Sequence, residues 1–142
     1  MLVRLLFASR AVDASPQAIE HILAAARQHN HDSGVTGILV YGDGVFMQAI
    51  EGGRAAVNAL YATLLRDARH QDVTLLHYEE ITERRFGGWT MGVVNVDRVN
   101  SGVLLKYAER AELNPWAVSG RMSLALIEEL AATASIAARA GG

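Results

Sequence analysis

The chain has no cysteine. That excludes a disulfide framework, a thiolate nucleophile and a zinc–thiolate site, and it suits a reducing cytoplasm. It also has no excess of positive charge. Thirteen Lys and Arg stand against 15 Asp and Glu, a formal net charge of −2, which argues against general nucleic-acid binding. Long hydrophobic runs are missing too: no stretch approaches the roughly 20 apolar residues that span a bilayer, so no membrane association is expected. The first residues, MLVRLLFASRAV, carry Arg4 and Arg10 inside a short apolar segment that runs directly into the fold, so a secretion signal is rejected. No G-x-G-x-x-G opens a helix after a strand, which removes the usual phosphate-loop signature. The histidines His21, His29, His31, His70 and His77 have no metal-cluster spacing. There is no internal repeat and no low-complexity segment.

What remains is one domain of 142 residues with a helical appendage. A chain of that size buries roughly 70% of its unfolded surface. Leu2–Ser9 reads as a first strand. Ser15-Pro16 starts a helix, with Ser as the cap and Pro in the first turn. Ile19, Ile22, Leu23 and Ala26 make its apolar stripe, and it runs to about His29. Asn30–Ser33 is polar and ends at Gly34. Two apolar runs follow, Val35–Tyr41 and Val45–Ile50, split by Gly42-Asp43-Gly44. Asp-Gly between β-rich runs signals a hairpin, because glycine accepts the positive φ that a tight turn demands. Arg54–Arg66 reads as a second helix that buries Val57, Leu60, Tyr61, Leu64 and Leu65. Val73–Ile81 and Thr90–Val96 read as strands. The order βαββαββ predicts an α+β, ferredoxin-like fold: a five-stranded mixed sheet with both helices on one face. After Asp97 the character changes. Ser101–Arg110 suggests a short helix, Asn114-Pro115 a break, and Ser123–Arg139 a helix bearing Leu124, Ile127, Leu130, Ala131 and Ala134. Residues 1–97 are therefore taken as the core. Residues 98–142 are taken as a helical cap on the other sheet face, for self-association or a partner.

Gln48 is the residue out of place. Side chains alternate faces along a strand, so Phe46, Gln48 and Ile50 share one face and Met47, Ala49 and Glu51 the other. A primary amide on a buried face must find partners for its donors and its acceptor. It is either satisfied inside the core or it recognises a flat polar ligand.

The stretch GVTGILVYGDGVFMQAIEG, with His29-Asn30 upstream, Asp67-Ala68-Arg69-His70 downstream, then Arg84-Arg85-Phe86 and Trp89-Thr90-Met91, resembles the BLUF family of flavin-binding blue-light sensors. The resemblance covers about residues 2–97, and the tail is similar to the cap of the short, stand-alone members. It implies a noncovalent FAD or FMN between the two helices. Asn30 and Gln48 would meet the polar rim of the ring, and Ile22 and Leu23 its dimethylbenzene end. Arg69, His70 and Asp67 would face the pyrimidine edge or the ribityl and phosphate tail. His29 and Ser9 match further family positions. For Asn30 the ordinary alternative is a helix C-cap, for His29 compensation of the helix dipole, and for Asp67, Arg69 and His70 a solvated turn. Thr63 stands where some relatives carry a basic residue. Trp89 and Met91 would begin the last strand, next to the strand bearing Gln48; core packing is the alternative, and Trp89 is given a modulating role.

The sequence departs from the family at one position. In the segment Leu5-Leu6-Phe7-Ala8-Ser9, Phe7 occupies the place of the family's photoactive tyrosine, while Ser9 is kept. In the resembling proteins the tyrosine gives an electron to the excited flavin, and a proton then passes through the glutamine. The glutamine is left rotated or tautomerised, and the sheet relays the change to the cap. Phe7 has no phenolic proton and cannot hydrogen-bond Gln48. It is an introduced change, a natural loss of photocycling, or a sign that another donor such as Trp89 acts instead. The expected function is thus a light-sensor module, not an enzyme, with an impaired photocycle. It would signal to a separate effector protein and assemble as a dimer or larger oligomer. The alternatives are a small-ligand or heme-binding ferredoxin-like domain, or a hydrolase on the same fold.

Overall fold

The computed structural model describes residues 1–140, with side chains through 133. Its elements are β1 (Leu2–Ala11), α1 (Pro16–Ser33), β2 (Thr36–Gly42), β3 (Val45–Gly53), α2 (Arg54–Leu65), β4 (His70–Ile81), β5 (Gly92–Asn95), α3 (Ser101–Leu105) and α4 (Gly120–Ala140), with short 3₁₀ turns at Val96–Arg98 and Pro115–Ala117. The five strands lie in the order β4-β1-β3-β2-β5. Every pairing is antiparallel except β2 with β5. This is the expected mixed sheet, with β3 inserted between the parallel strands β1 and β2.

Local chemistry sets the boundaries. Ser15 Oγ accepts from the Ala18 N–H, and Pro16 opens α1. Gly34, at φ 72°, closes that helix in the left-handed conformation, and its N–H returns to the Asn30 carbonyl. The hairpin turns through Asp43 (φ 54°) and Gly44 (φ 73°), two positive φ values in a row, which match the twist of the flanking strands.

The sheet separates two cores. On one face Val3, Leu5, Phe7, Leu39, Phe46 and Ile50 pack with Ile19, Leu23, Val57 and Leu60 of α1 and α2. On the other, Leu6, Ile38, Val40, Met47 and Ala49 pack with Leu104, Leu124, Ile127 and Leu130 from the C-terminal helices. The alternation expected around Gln48 is therefore present. The Cβ of any residue replacing Gly120 would run into the Leu76 carbonyl, so the start of α4 rests directly on the backbone of β4. Ala134, expected on the apolar stripe of α4, lies outside the residues whose side chains are described.

Several boundaries move. α1 continues one turn past His29, so Asn30 is inside the helix. β4 begins at His70 rather than Val73, and α3 ends at Leu105. β5 is only Gly92–Asn95 and pairs with β2. Trp89 and Met91 therefore precede the strand, and that strand is not the neighbour of β3. The Gly87-Gly88 pair and the tethers on residues 89–91 hold that stretch out of the sheet.

Candidate functional site

A cleft of about 180 Å³ opens between α1, α2 and the sheet. The sheet contributes its floor. Phe7 of β1 and Leu39 of β2 sit opposite Gln48 in register, so the amide lies between two apolar side chains. Gln48 Nε2 is 3.6 Å from the Met91 sulfur, a weak acceptor. Phe7 is buried, with Tyr61 of α2 at 5.7 Å between ring centroids and His70 edge-on at 6.3 Å. Burial raises the Tyr61 phenol above its ordinary value.

Asn30 comes from the last turns of α1, and the C-cap role belongs to Gly34 instead. Asn30 Nδ2 donates to the Thr90 carbonyl at 2.6 Å. A carbonyl only accepts, so this contact assigns the amide's orientation. Asn30 Oδ1 is then buried with no hydrogen-bond partner, which carries a desolvation cost unless a ligand donates to it. One turn earlier, Arg27 Nε donates to the Met91 carbonyl at 3.1 Å. Helix α1 thus holds two consecutive carbonyls, those of Thr90 and Met91.

The α2–β4 connection supplies the other end. Arg69 grips Asp67 through Nε and Nη2 at 2.6–3.1 Å. The hydrogen bond from Arg69 holds the Asp67 carboxyl below its ordinary range and raises the guanidinium in turn. His70 Nε2 donates to the Leu64 carbonyl at 2.5 Å, and its Nδ1 sits 2.7 Å from Ser9 Oγ. Because Leu64 offers only an acceptor, a neutral His70 carries its proton on Nε2 and accepts from the Ser9 hydroxyl. The ring therefore ties β1 to the end of α2.

Most of the residues singled out in the sequence meet at this cleft: Phe7, Ile22, Leu23, His29, Asn30, Gln48, Asp67, Arg69, His70 and Met91 all line it. Two do not. Ser9 is buried behind His70 and reaches the cleft only through that ring. Trp89 packs against the core on the cap side of the sheet. The sequence reading missed Leu39, Phe46, Leu60 and Leu64 as lining residues. Their place on the helix-facing side of the sheet or of α2 was the available signal, but apolar periodicity does not separate a cleft wall from a core. Thr63 lines the cleft, and its hydroxyl turns back to the Ala59 carbonyl. Among the described residues no cluster could hold a metal ion, and no helix is long and apolar enough to cross a membrane.

Comparison with known proteins gives one consistent result. The family profile described as "Sensors of blue-light using FAD" matches residues 2–92. Among solved structures, "BlrB - a BLUF protein, dark state structure" is 35% identical with a TM-score of 0.76, over 94% of this chain and 96% of that one. "BlsA photo-activated state" is 29% identical with a TM-score of 0.81, over 92% and 94%. The blue light- and temperature-regulated antirepressor BluF of Escherichia coli (strain K12) is 34% identical over 61% of this chain and 22% of its own length. A photoactivated adenylate cyclase subunit beta of Euglena longa is 29% identical over 74% of this chain but only 13% of its own. The chain thus spans a small part of the curated relatives it matches.

Proposed function

Because the chain belongs to the BLUF family of blue-light sensors, we propose that it is a flavin-binding photoreceptor module that signals by protein–protein contact. The observation that carries this reading is Asn30. It lines the cleft, and its buried Oδ1 lacks a donor. The imide N–H of a flavin ring is a donor of the right kind, and the Ile22, Leu23, Leu39 and Leu60 walls suit the ring's apolar end. Asn30 and Gln48 would hold the polar rim, and Arg69, with His29 and His70, the remaining edge or the tail. The ligand is FAD or FMN, held noncovalently. Bound flavin supplies the absorption of blue light.

The chain's own part is an amide switch. Gln48 has one weak partner in Met91 and none from Phe7, so its two orientations differ little in energy. Turning the amide over exchanges a donor for an acceptor at the cleft and at Met91. With no phenol at position 7, the step that turns the amide is impaired. The module is not itself an enzyme. Its output passes through residues 98–142 to a separate effector, or to a second copy in a dimer or larger assembly, in a cytoplasmic setting that suits a cysteine-free chain.

The test is a visible spectrum of protein incubated with FMN or FAD and passed through gel filtration, taken dark and then under blue light. A retained flavin spectrum with little or no red shift is expected. A protein that emerges colourless from both flavins overturns the reading.

A further inference from the structure

The sequence contains four methionines, and their positions differ sharply. Met1 is 71% exposed and Met122 38%, whereas Met47 is 0% and Met91 2% exposed. Met91 alone of the four lines the cleft. Met47 lies on the opposite face of β3, in the cap-side core. No tyrosine, tryptophan or cysteine is among the described cleft-lining side chains, so the oxidisable groups there are Met91, His29 and His70. His70 has both ring nitrogens engaged, while His29 is exposed. Met91 is fixed by the Arg27 contact to its carbonyl, and its sulfur sits 3.6 Å from Gln48 Nε2.

We propose that Met91 is a photo-oxidation site, converted to the sulfoxide by light absorbed in this cleft. The inference rests on flavin occupying the cleft. Phe7 gives the excited ligand no phenol to quench it, so its excitation reaches dioxygen that enters the same space. Activated dioxygen adds to the thioether sulfur, and water completes the reaction: one thioether, one dioxygen and one water give one sulfoxide and one hydrogen peroxide. A single S–O bond is made. The sulfur loses two electrons, and they leave in the peroxide together with the two protons of the water. The ligand returns unchanged. A sulfoxide oxygen is a far better acceptor than a thioether. Formed at Met91, it lies within reach of the Gln48 amide donor and fixes that amide in one orientation. Light received in air is then recorded as a locked amide, which methionine sulfoxide reductase can erase.

The experiment loads the protein with FMN, removes unbound flavin, and illuminates it with blue light in air. Peptides are then mapped by mass spectrometry. Cleavage at Arg85 and Arg98 isolates a peptide containing both Trp89 and Met91, so fragmentation must place the added oxygen. Met91 is expected to oxidise at least about fivefold faster than Met122, reversing the order that exposure alone dictates. Protein without bound flavin, illuminated with red light beside catalytic methylene blue, should show the ordinary order, with Met1 and Met122 first. Phe7→Tyr should slow oxidation at Met91, and reductase treatment should remove the added oxygen. Retained flavin with oxidation led by Met122, Trp89 or a histidine overturns the inference and leaves the flavin reading standing. Failure to retain flavin overturns both.

Discussion

Phe7 and Gln48 sit opposite each other on β1 and β3, and neither residue alone explains the cleft. Phe7 buries its ring against Tyr61 and His70, so the wall needs no hydroxyl at this position. Phe7→Tyr should leave the fold intact, since the added oxygen arrives beside an amide able to pair with it. In flavin-loaded protein the variant should show a larger light-induced red shift and a shorter flavin fluorescence lifetime than the parent chain. Equal red shifts in the two would remove Phe7 as the cause of impairment. Asn30 carries a different expectation. Asn30→Leu frees the Thr90 carbonyl from the Asn30 amide and removes the orphan acceptor together. Deleting the orphan offsets part of the lost hydrogen bond, so unfolding should shift by no more than about 1 kcal/mol. Flavin affinity should fall at least about tenfold, because that acceptor is the one proposed to take the ring N–H. A urea titration and an FMN binding isotherm separate the two effects, and an unchanged isotherm would take Asn30 out of the site.

At the scale of elements, the strand that carries Gln48 also carries the most committed charge in the molecule. Glu51 is fully buried on the cap side of β3. It accepts from Arg4 Nε and Nη2 at 2.8 and 2.7 Å, and from the Arg85 and Phe86 N–H groups at 2.6–3.1 Å. Arg4 reaches on to Glu79 of β4, and the Arg85 side chain pairs with Glu128 of α4. One carboxylate therefore joins β1, β3 and the β4–β5 connection. Glu51→Gln leaves Arg4 buried with half its partners and should cost about 3–5 kcal/mol in urea unfolding; a loss under 1 kcal/mol would mean the network is dispensable. The α2–β4 turn gives the pH dependence. Arg69 holds the folded Asp67 carboxyl below its ordinary value of 3.8. Its contribution is therefore present above that value and is lost as pH falls through the lowered pKa. Asp67→Asn should be less stable than the parent near neutrality and should converge with it in acid, as thermal melts across that window would show. Convergence at neutral pH instead would mean the pair contributes nothing. These elements were also where the sequence was least legible. The helices, the hairpin and the two sheet faces follow from periodicity and turn residues, which are local signals. The Arg4–Glu51 pair, the neighbour of β5 and the site of Trp89 are set by contacts between residues far apart in the chain. Asn30 was legible as a candidate for the cleft, which it lines, but not as an interior helical residue, because Gly34, four residues on, takes the cap.

For the molecule as a whole, the question is whether residues 98–142 are an appendage or part of the fold. Ile127 and Leu130 are completely buried, and they close over Leu6, Ile38, Val40 and Met47. Trp116 Nε1 donates to Thr74 Oγ1 at 2.9 Å, while Arg10 lies 4.1 Å over the same indole. Gly120 meets the backbone of β4 with no room for a side chain. A cap seated this closely cannot leave without exposing an apolar sheet face, so the output proposed to pass through it would proceed by a shift in its seating and not by release. Two outcomes follow. Gly120→Ala should destabilise the whole domain by about 1–3 kcal/mol, the usual cost of overpacking, in a single transition seen alike by sheet and helix probes. A truncation after residue 98 should aggregate or self-associate in light scattering, since it uncovers Leu6, Ile38, Val40, Met47 and Ala49 as one contiguous apolar face. If instead that truncation is a stable monomer that still binds FMN, the cap is a detachable partner of the sensor, and the shift-in-place view of its output fails.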